Sequence, residues 1–193
     1  MAESYSDITD QILQGCVKRE SKSQELLYKK YFGYALSVSL LYCKSRGDAV
    51  EVVNDSFLKV FAVIESFRQE GSFKSWLRRI VINTALDKIR KERRNISAEE
   101  SINSSLPDLS GDVISHLEAR SIASLIDFLP LLHRTVFCLF ELEGYSHDEI
   151  SKKLKIPASS SRAYLSRAKR QLRELYLKST KSPTNLHFNN PDE

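Results

Sequence analysis

Two groups of cationic side chains carry the chemistry of this sequence. The first lies in residues 157–175, where Ser159, Ser160, Arg162, Ala163, Ser166, Arg167, Arg170 and Arg173 occur. Turned at 100° per residue, Ser159, Ala163, Ser166, Arg167 and Arg170 share one outer helical face, and Ser160, Arg162 and Arg173 flank it. Short side chains at a helix N-terminus let the helix sit deep in a major groove. Arginines further along can reach phosphates or a guanine edge. The second group lies in residues 73–94: Arg78, Arg79, Asn83, Lys88, Arg90, Lys91, Arg93 and Arg94, with the aromatics Phe67, Phe73 and Trp76 bracketing its start. Cations interleaved with aromatics suit single-stranded DNA, where bases stack and phosphates need counter-charge. Trp76 taken by itself reads as a buried residue, and Tyr164, at the edge of an apolar stripe, as packing before contact. A third group is acidic. Asp48, Glu51 and Asp55 recur at three and four and form one helical face, which alone reads as a solvated stripe. A metal-dependent nuclease built on these carboxylates is a weak alternative, because no histidine lies near them to complete a cage.

The charge is segregated. Residues 71–94 carry eight basic and two acidic side chains, and residues 151–181 carry ten and one. Residues 95–150 between them carry two basic and ten acidic. A solvated surface needs no such blocks, whereas two phosphate-binding surfaces do. The 193 residues suffice for one ordinary domain or two small ones. The longest early apolar run, residues 34–43, is interrupted by Ser37 and Ser39 and is too short to span a membrane. The acidic start, MAESYSDITDQ, lacks an export signal, so a cytoplasmic protein is expected. Cys16, Cys43 and Cys138 read as buried reduced thiols. The four histidines show no metal-ligand spacing, so neither metal nor cofactor is expected.

The elements that must position these groups are helices. Glycine and proline are scarce, at six and five, and period-two alternation is nearly absent, so the fold class is all-α. Residues 10–43 show apolar positions at helical spacing. KSRGD at 44–48 is a break in which Gly47 is free to take a positive φ. Helices are expected over 48–67 and 73–94, separated by RQEGS at 68–72. Residues 95–115 are rich in Ser, Asn, Asp, Glu, Pro and Gly and read as a mobile acidic linker. Periodicity returns over 117–129 and 131–142. Ser146 and Glu149 then form a capping box, and Pro157 suits the start of the last helix. Two small helical domains follow, 8–95 and 118–178, joined by a flexible linker at 96–117 and followed by a disordered tail at 179–193. The second contains a helix-turn-helix.

A helix-turn-helix alone fits a repressor, a response-regulator output domain or a sigma factor. Residues 48–94 discriminate. DAVEVVNDSFLKVF resembles the D-A-E-D-x-x-Q-E-x-F-L-x-V-[WF] helix of bacterial extracytoplasmic-function (ECF) sigma factors. FKSWLRRIVINTALDKIRKERR resembles their F-x-x-W-L-x-x-I-A-x-N-x-x-x-D-x-x-R-[RK] helix, and residues 129–172 resemble their fourth-domain pattern. The three motifs occur in order across about residues 10–175. Departures are Val50 and Asn54 in the first motif, and Lys155, Ser159, Ser160, Ala163 and Tyr164 in the last. Lys155 replaces the turn glycine and is expected to adopt a left-handed backbone, at about 1 kcal/mol. The resemblance implies a non-enzymatic initiation factor. Asp48, Glu51, Asp55, Phe57 and Leu58 would meet core RNA polymerase. Arg68 and Gln69, in the loop 66–73, would help hold a flipped base of the −10 element, and Asn83 would read a base edge. Arg79, Lys88, Arg90, Lys91, Arg93 and Arg94 would hold the opened strand and its phosphates. The helix at 157–175 would read the −35 element. An anti-sigma partner follows from family analogy alone, and no membrane insertion is expected. The rival is a helix-turn-helix regulator that never enters polymerase.

Overall fold

A computed structural model describes residues 5–67, 71–96 and 125–181. Among the described residues the regular structure is helical. Helices α1 (Tyr5–Val17), α2 (Ser21–Leu40), α3 (Arg46–Val63) and α4 (Phe73–Ile96) come first, with a 3₁₀ turn at Ile64–Ser66. After a 3₁₀ turn at Ile126–Phe128 come α5 (Leu131–Phe137), α6 (His147–Leu154) and α7 (Ala158–Lys181). The backbone of α5 continues as a π-helical stretch over Cys138–Leu142. The described residues form two compact units, one of 5–96 with Asp148–Ile156, the other of 125–147 with 157–181. The expected linker and tail lie almost wholly outside the described residues, as does most of the expected helix at 117–129.

The periodicity of residues 10–43 hides a break. Arg19 takes a left-handed backbone, φ 61°, between α1 and α2. Its amide and that of Glu20 donate to the Cys16 and Gly15 carbonyls, which close the end of α1. No glycine marks the spot. The reversal brings the two helices together so closely that a Cβ on Gly15 would lie 2.6 Å from Ser23 Cβ. The next expectation about glycine is corrected. Gly47 lies inside α3 and has no positive φ; the helix starts instead at Ser45, whose hydroxyl accepts from the Asp48 amide at 3.1 Å. Ser72 does the same for α4, accepting from the Ser75 amide at 3.1 Å.

The core of the first unit comes from the stripes that α2, α3 and α4 turn toward one another. Leu27, Val38, Val53, Phe57, Leu77, Val81 and Leu86 are buried. Each such side chain contributes about 1.5–3 kcal/mol by leaving water. In the second unit α5 packs on α7, with Val136, Leu139, Leu165, Ala168 and Leu175 buried. No helix among the described residues is long and apolar enough to cross a membrane.

Gly15→Val should destabilise the protein by about 1–3 kcal/mol through overpacking at the α1–α2 contact, read as a lowered denaturation midpoint. Ser45→Ala should cost about 1 kcal/mol by removing the cap, measured the same way.

Candidate nucleic-acid interface

Helix α4 buries Leu77, Val81, Ile82, Ala85, Leu86 and Ile89. That choice fixes the opposite face, because residues at steps of three and four share one side. Arg79, Asn83, Asp87, Lys91 and Arg94 are exposed at steps of four, four, four and three, and Arg90 and Arg93 are half-buried beside them. The stripe is therefore cationic at both ends with an amide and a carboxylate between. Several of its members have protein partners within the first unit. Arg90 Nη1 donates to the Lys153 carbonyl at 2.8 Å, and Arg93 Nη1 to the Leu154 carbonyl at 3.1 Å. Lys153 Nζ donates to Asn83 Oδ1 at 3.3 Å. Arg90 also pairs with Asp87, which Lys59 Nζ approaches at 3.3 Å.

The aromatics at the start of α4 form one cluster. Phe67 and Phe73 meet edge to face at 5.6 Å, and Trp76 lies 5.4 Å from Phe67 and 5.7 Å from Phe73. Phe73 also contacts Tyr31 and is only 5% exposed, so it is corrected from a DNA contact to a core residue. Phe67 and Trp76 are half-buried. Arg68 and Gln69 lie outside the described residues.

The acidic face of α3 is tied down at one end. Asp48 accepts from Ser45 and from Lys88 Nζ at 2.7 Å, and Glu51 accepts from the same Nζ at 2.6 Å. The Lys88 bond, then that from Ser45, holds the Asp48 carboxyl below its usual range. Partial burial works against the Lys88 ammonium, but hydrogen bonds to two carboxylates outweigh it and raise the group well above the ordinary lysine value. Lys88 therefore points to α3. Phe57 is corrected as a polymerase contact. It is 2% exposed and packs on Tyr28 and Phe61, whereas Leu58 is 69% exposed and Asp55 lies on the surface beside it. Asn54, one of the departures, accepts a hydrogen bond from the Tyr28 hydroxyl at 2.9 Å and so links α3 to α2.

Helix α6 begins directly after Ser146, and its end is closed by the Ile156 amide and the Ser151 hydroxyl, which exchange bonds with the Ser151 and Ile156 carbonyls at 3.2 and 2.6 Å. Lys155 has φ 53° in this turn, the left-handed backbone expected of it. Pro157 stands just before α7, and its carbonyl accepts from the Ser161 amide at 3.1 Å. Ser161, Leu165, Ala168 and Leu175 are buried, while Ser159, Arg162, Ala163, Ser166, Arg167, Arg170 and Arg173 are exposed and Ser160 is half-buried. The order helix, tight turn, basic helix is that of a helix-turn-helix. Tyr164 packs on His133 with ring centres 5.2 Å apart. Burial, then the Arg167 charge, lowers the pKa of His133.

One member of the basic face was missed. Lys169 lines the same open groove as Arg162, Ser166, Arg170 and Arg173. Its ammonium pairs with Glu141 at 2.6 Å. The signal was available, since 162, 166, 169 and 173 recur at four, three and four.

The first basic block lies in a match of residues 27–95 to Sigma-70 region 2, and the second in a match of residues 119–172 to Sigma-70 region 4. The ECF RNA polymerase sigma-E factor of Haemophilus influenzae is 31% identical over 186 residues, covering 89% of this chain and 96% of that protein. The protein of the same name from Escherichia coli K12 is 30% identical over 175 residues, covering 84% and 91%. Among solved structures, the sigma factor RpoE in complex with the anti-sigma factor NepR from Bartonella quintana matches 79% of this chain and 96% of its own, at 20% identity and a TM-score of 0.47. With both regions matched in order, and relatives at 30% identity or more aligned over nearly their full length, the chain belongs to the ECF sigma factors of RNA polymerase.

Proposed function

We propose that this sigma factor grips its promoter at two points while docked on core RNA polymerase through α3. Residues 8–95 form the sigma domain that binds core enzyme and the −10 element, and residues 118–178 the domain that binds the −35 element. Residues 96–117 link them along the polymerase. The reading is supported above all by the pair of cationic helical faces, on α4 and on α7, inside the two matched sigma regions.

On the −35 side, the N-terminus of α7 enters the major groove of duplex DNA. Ser159 and Ser160, with Ala163 and Ser166, are short enough for close approach, and Arg162, Arg167, Lys169, Arg170 and Arg173 take phosphates or a guanine edge. On the −10 side the exposed stripe of α4 faces the opened strand. Arg79, Lys91 and Arg94 hold phosphates, and Asn83 offers a donor and an acceptor to a base edge. Arg90 and Arg93 join them on exchanging their carbonyl partners for phosphates. Phe67 and Trp76, with Arg68 and Gln69, bound the loop that takes a flipped base. The chain performs no catalysis. Strand opening is driven by the binding energy of the unpaired strand.

On the polymerase side, Leu58 offers exposed apolar surface one turn beyond Asp55, on the face that also carries Glu51. A partner with complementary cations would bind this face, and charge reversal at its centre would repel it. By family analogy an anti-sigma factor is a further partner, one that competes for these surfaces, and the protein acts in the cytoplasm.

Run-off transcription with purified core polymerase and a promoter library should yield defined transcripts from the wild-type protein. Asp55→Arg should abolish both transcription and co-elution with core while the thermal unfolding midpoint stays within a few degrees. Co-elution at wild-type strength would rule out docking through α3. Arg79→Ala combined with Lys91→Ala should lower the salt slope of promoter binding by about 0.7–0.9 for each phosphate no longer neutralised, whatever the promoter sequence. An unchanged slope would remove α4 from the phosphate contacts.

A further inference from the structure

We propose that Lys88 is a positioning residue for the polymerase-docking face, not a promoter ligand, and that it acts by holding Asp48 and Glu51 in one fixed arrangement. The inference rests on the reading of α3 as the docking helix. Its basis is geometric. A single ammonium lies 2.7 Å from Asp48 Oδ1 and 2.6 Å from Glu51 Oε2. The Lys88 side chain is 21% exposed, whereas that of Glu51 is 64% exposed. The cation is thus the sheltered member, and a carboxylate the outward one. Asp48 is fixed from its other side by the Ser45 hydroxyl at 2.7 Å, so the chain of contacts runs from the cap of α3 through Asp48 and Lys88 to Glu51.

Asp48 and Glu51 are three residues apart on one helix, where like charges repel. Lys88 supplies the charge that lets both carboxylates point the same way. Two further pairs tie α4 to α3 and the residues before it, Lys44 to Glu92 at 2.8 Å and Lys59 to Asp87 at 3.3 Å. The side of α4 that carries Lys88 and Glu92 therefore braces α3, and Arg79, Lys91 and Arg94, with Asp87 among them, are exposed instead. To reach a phosphate, Lys88 would have to leave two carboxylates and strand them side by side. Preorganisation of this kind raises affinity by removing rearrangement from the binding step.

The test uses the full-length protein titrated with core polymerase, followed by promoter binding of the saturated holoenzyme across a salt series. Lys88→Met should weaken core binding by about fivefold and leave the salt slope of promoter binding unchanged. Lys88→Arg, which keeps a cation able to bridge both carboxylates, should restore core binding to within about twofold. In an Asp48→Asn, Glu51→Gln background, Lys88→Met should have no further effect on core binding, since nothing is left to position. A loss that persists in that background, or core binding unaffected by Lys88→Met, overturns the proposal. So does a salt slope lowered by about 0.7–0.9, the mark of one phosphate no longer neutralised. Asp55→Arg is the control for the underlying reading. If it binds core normally, docking through α3 itself is wrong; if it fails to bind while Lys88→Met binds normally, only the role of Lys88 is.

Discussion

Burial of the apolar stripe of α4 against α2 and α3 is the constraint on which the first unit depends. Leu77, Val81, Ala85 and Ile89 recur at four, and all are buried. With 3.6 residues per turn, fixing that stripe fixes the direction of every other side chain on the helix. Arg79, Asn83, Lys91 and Arg94 come to lie on the outer face, and Lys88 is carried round to α3. The basic composition of residues 73–94 is therefore two populations. One faces outward, and the other neutralises a neighbouring helix.

The magnitudes separate the roles of these contacts. Exposed ion pairs such as Lys59–Asp87 and Lys44–Glu92 are worth at most about 1 kcal/mol each, so they do not hold the unit together. The buried side chains do, at about 1.5–3 kcal/mol apiece. What a bridging lysine adds is direction, because a carboxylate that accepts from a fixed cation has fewer rotamers open to it. The same distinction applies to Phe57 and Leu58. Adjacent on α3, one is 2% and the other 69% exposed. Phe57 closes the aromatic cluster with Tyr28 and Phe61, and Leu58 is left to solvent.

The all-helical class and the face of α7 were legible because both depend only on local period. So were the helices over 48–67 and 73–94, found as Arg46–Val63 with its 3₁₀ extension and Phe73–Ile96. Ser161, Leu165, Ala168 and Leu175 are buried where their spacing of four, three and seven requires, and the arginines between them are exposed. What was not legible depends on partners far along the chain. Nothing within a few residues of Lys88 announces carboxylates 37 and 40 positions earlier. The break at Arg19 escaped because the chain reverses there without glycine or proline, and Gly47 misled because the serine two residues earlier already starts the helix.

Lys155 shows how such a departure can be tolerated. A left-handed backbone costs a residue with a side chain about 1 kcal/mol, and glycine avoids most of that cost. The turn nonetheless keeps its shape, because Ser151 accepts from the Ile156 amide through its carbonyl and donates to the Ile156 carbonyl through its hydroxyl. Two bonds across five residues over-determine the conformation, and the strain is absorbed locally. The side chain so placed is exposed and cationic, in the turn that leads into the basic helix. A glycine there would relax the backbone and remove one exposed side-chain charge from the turn.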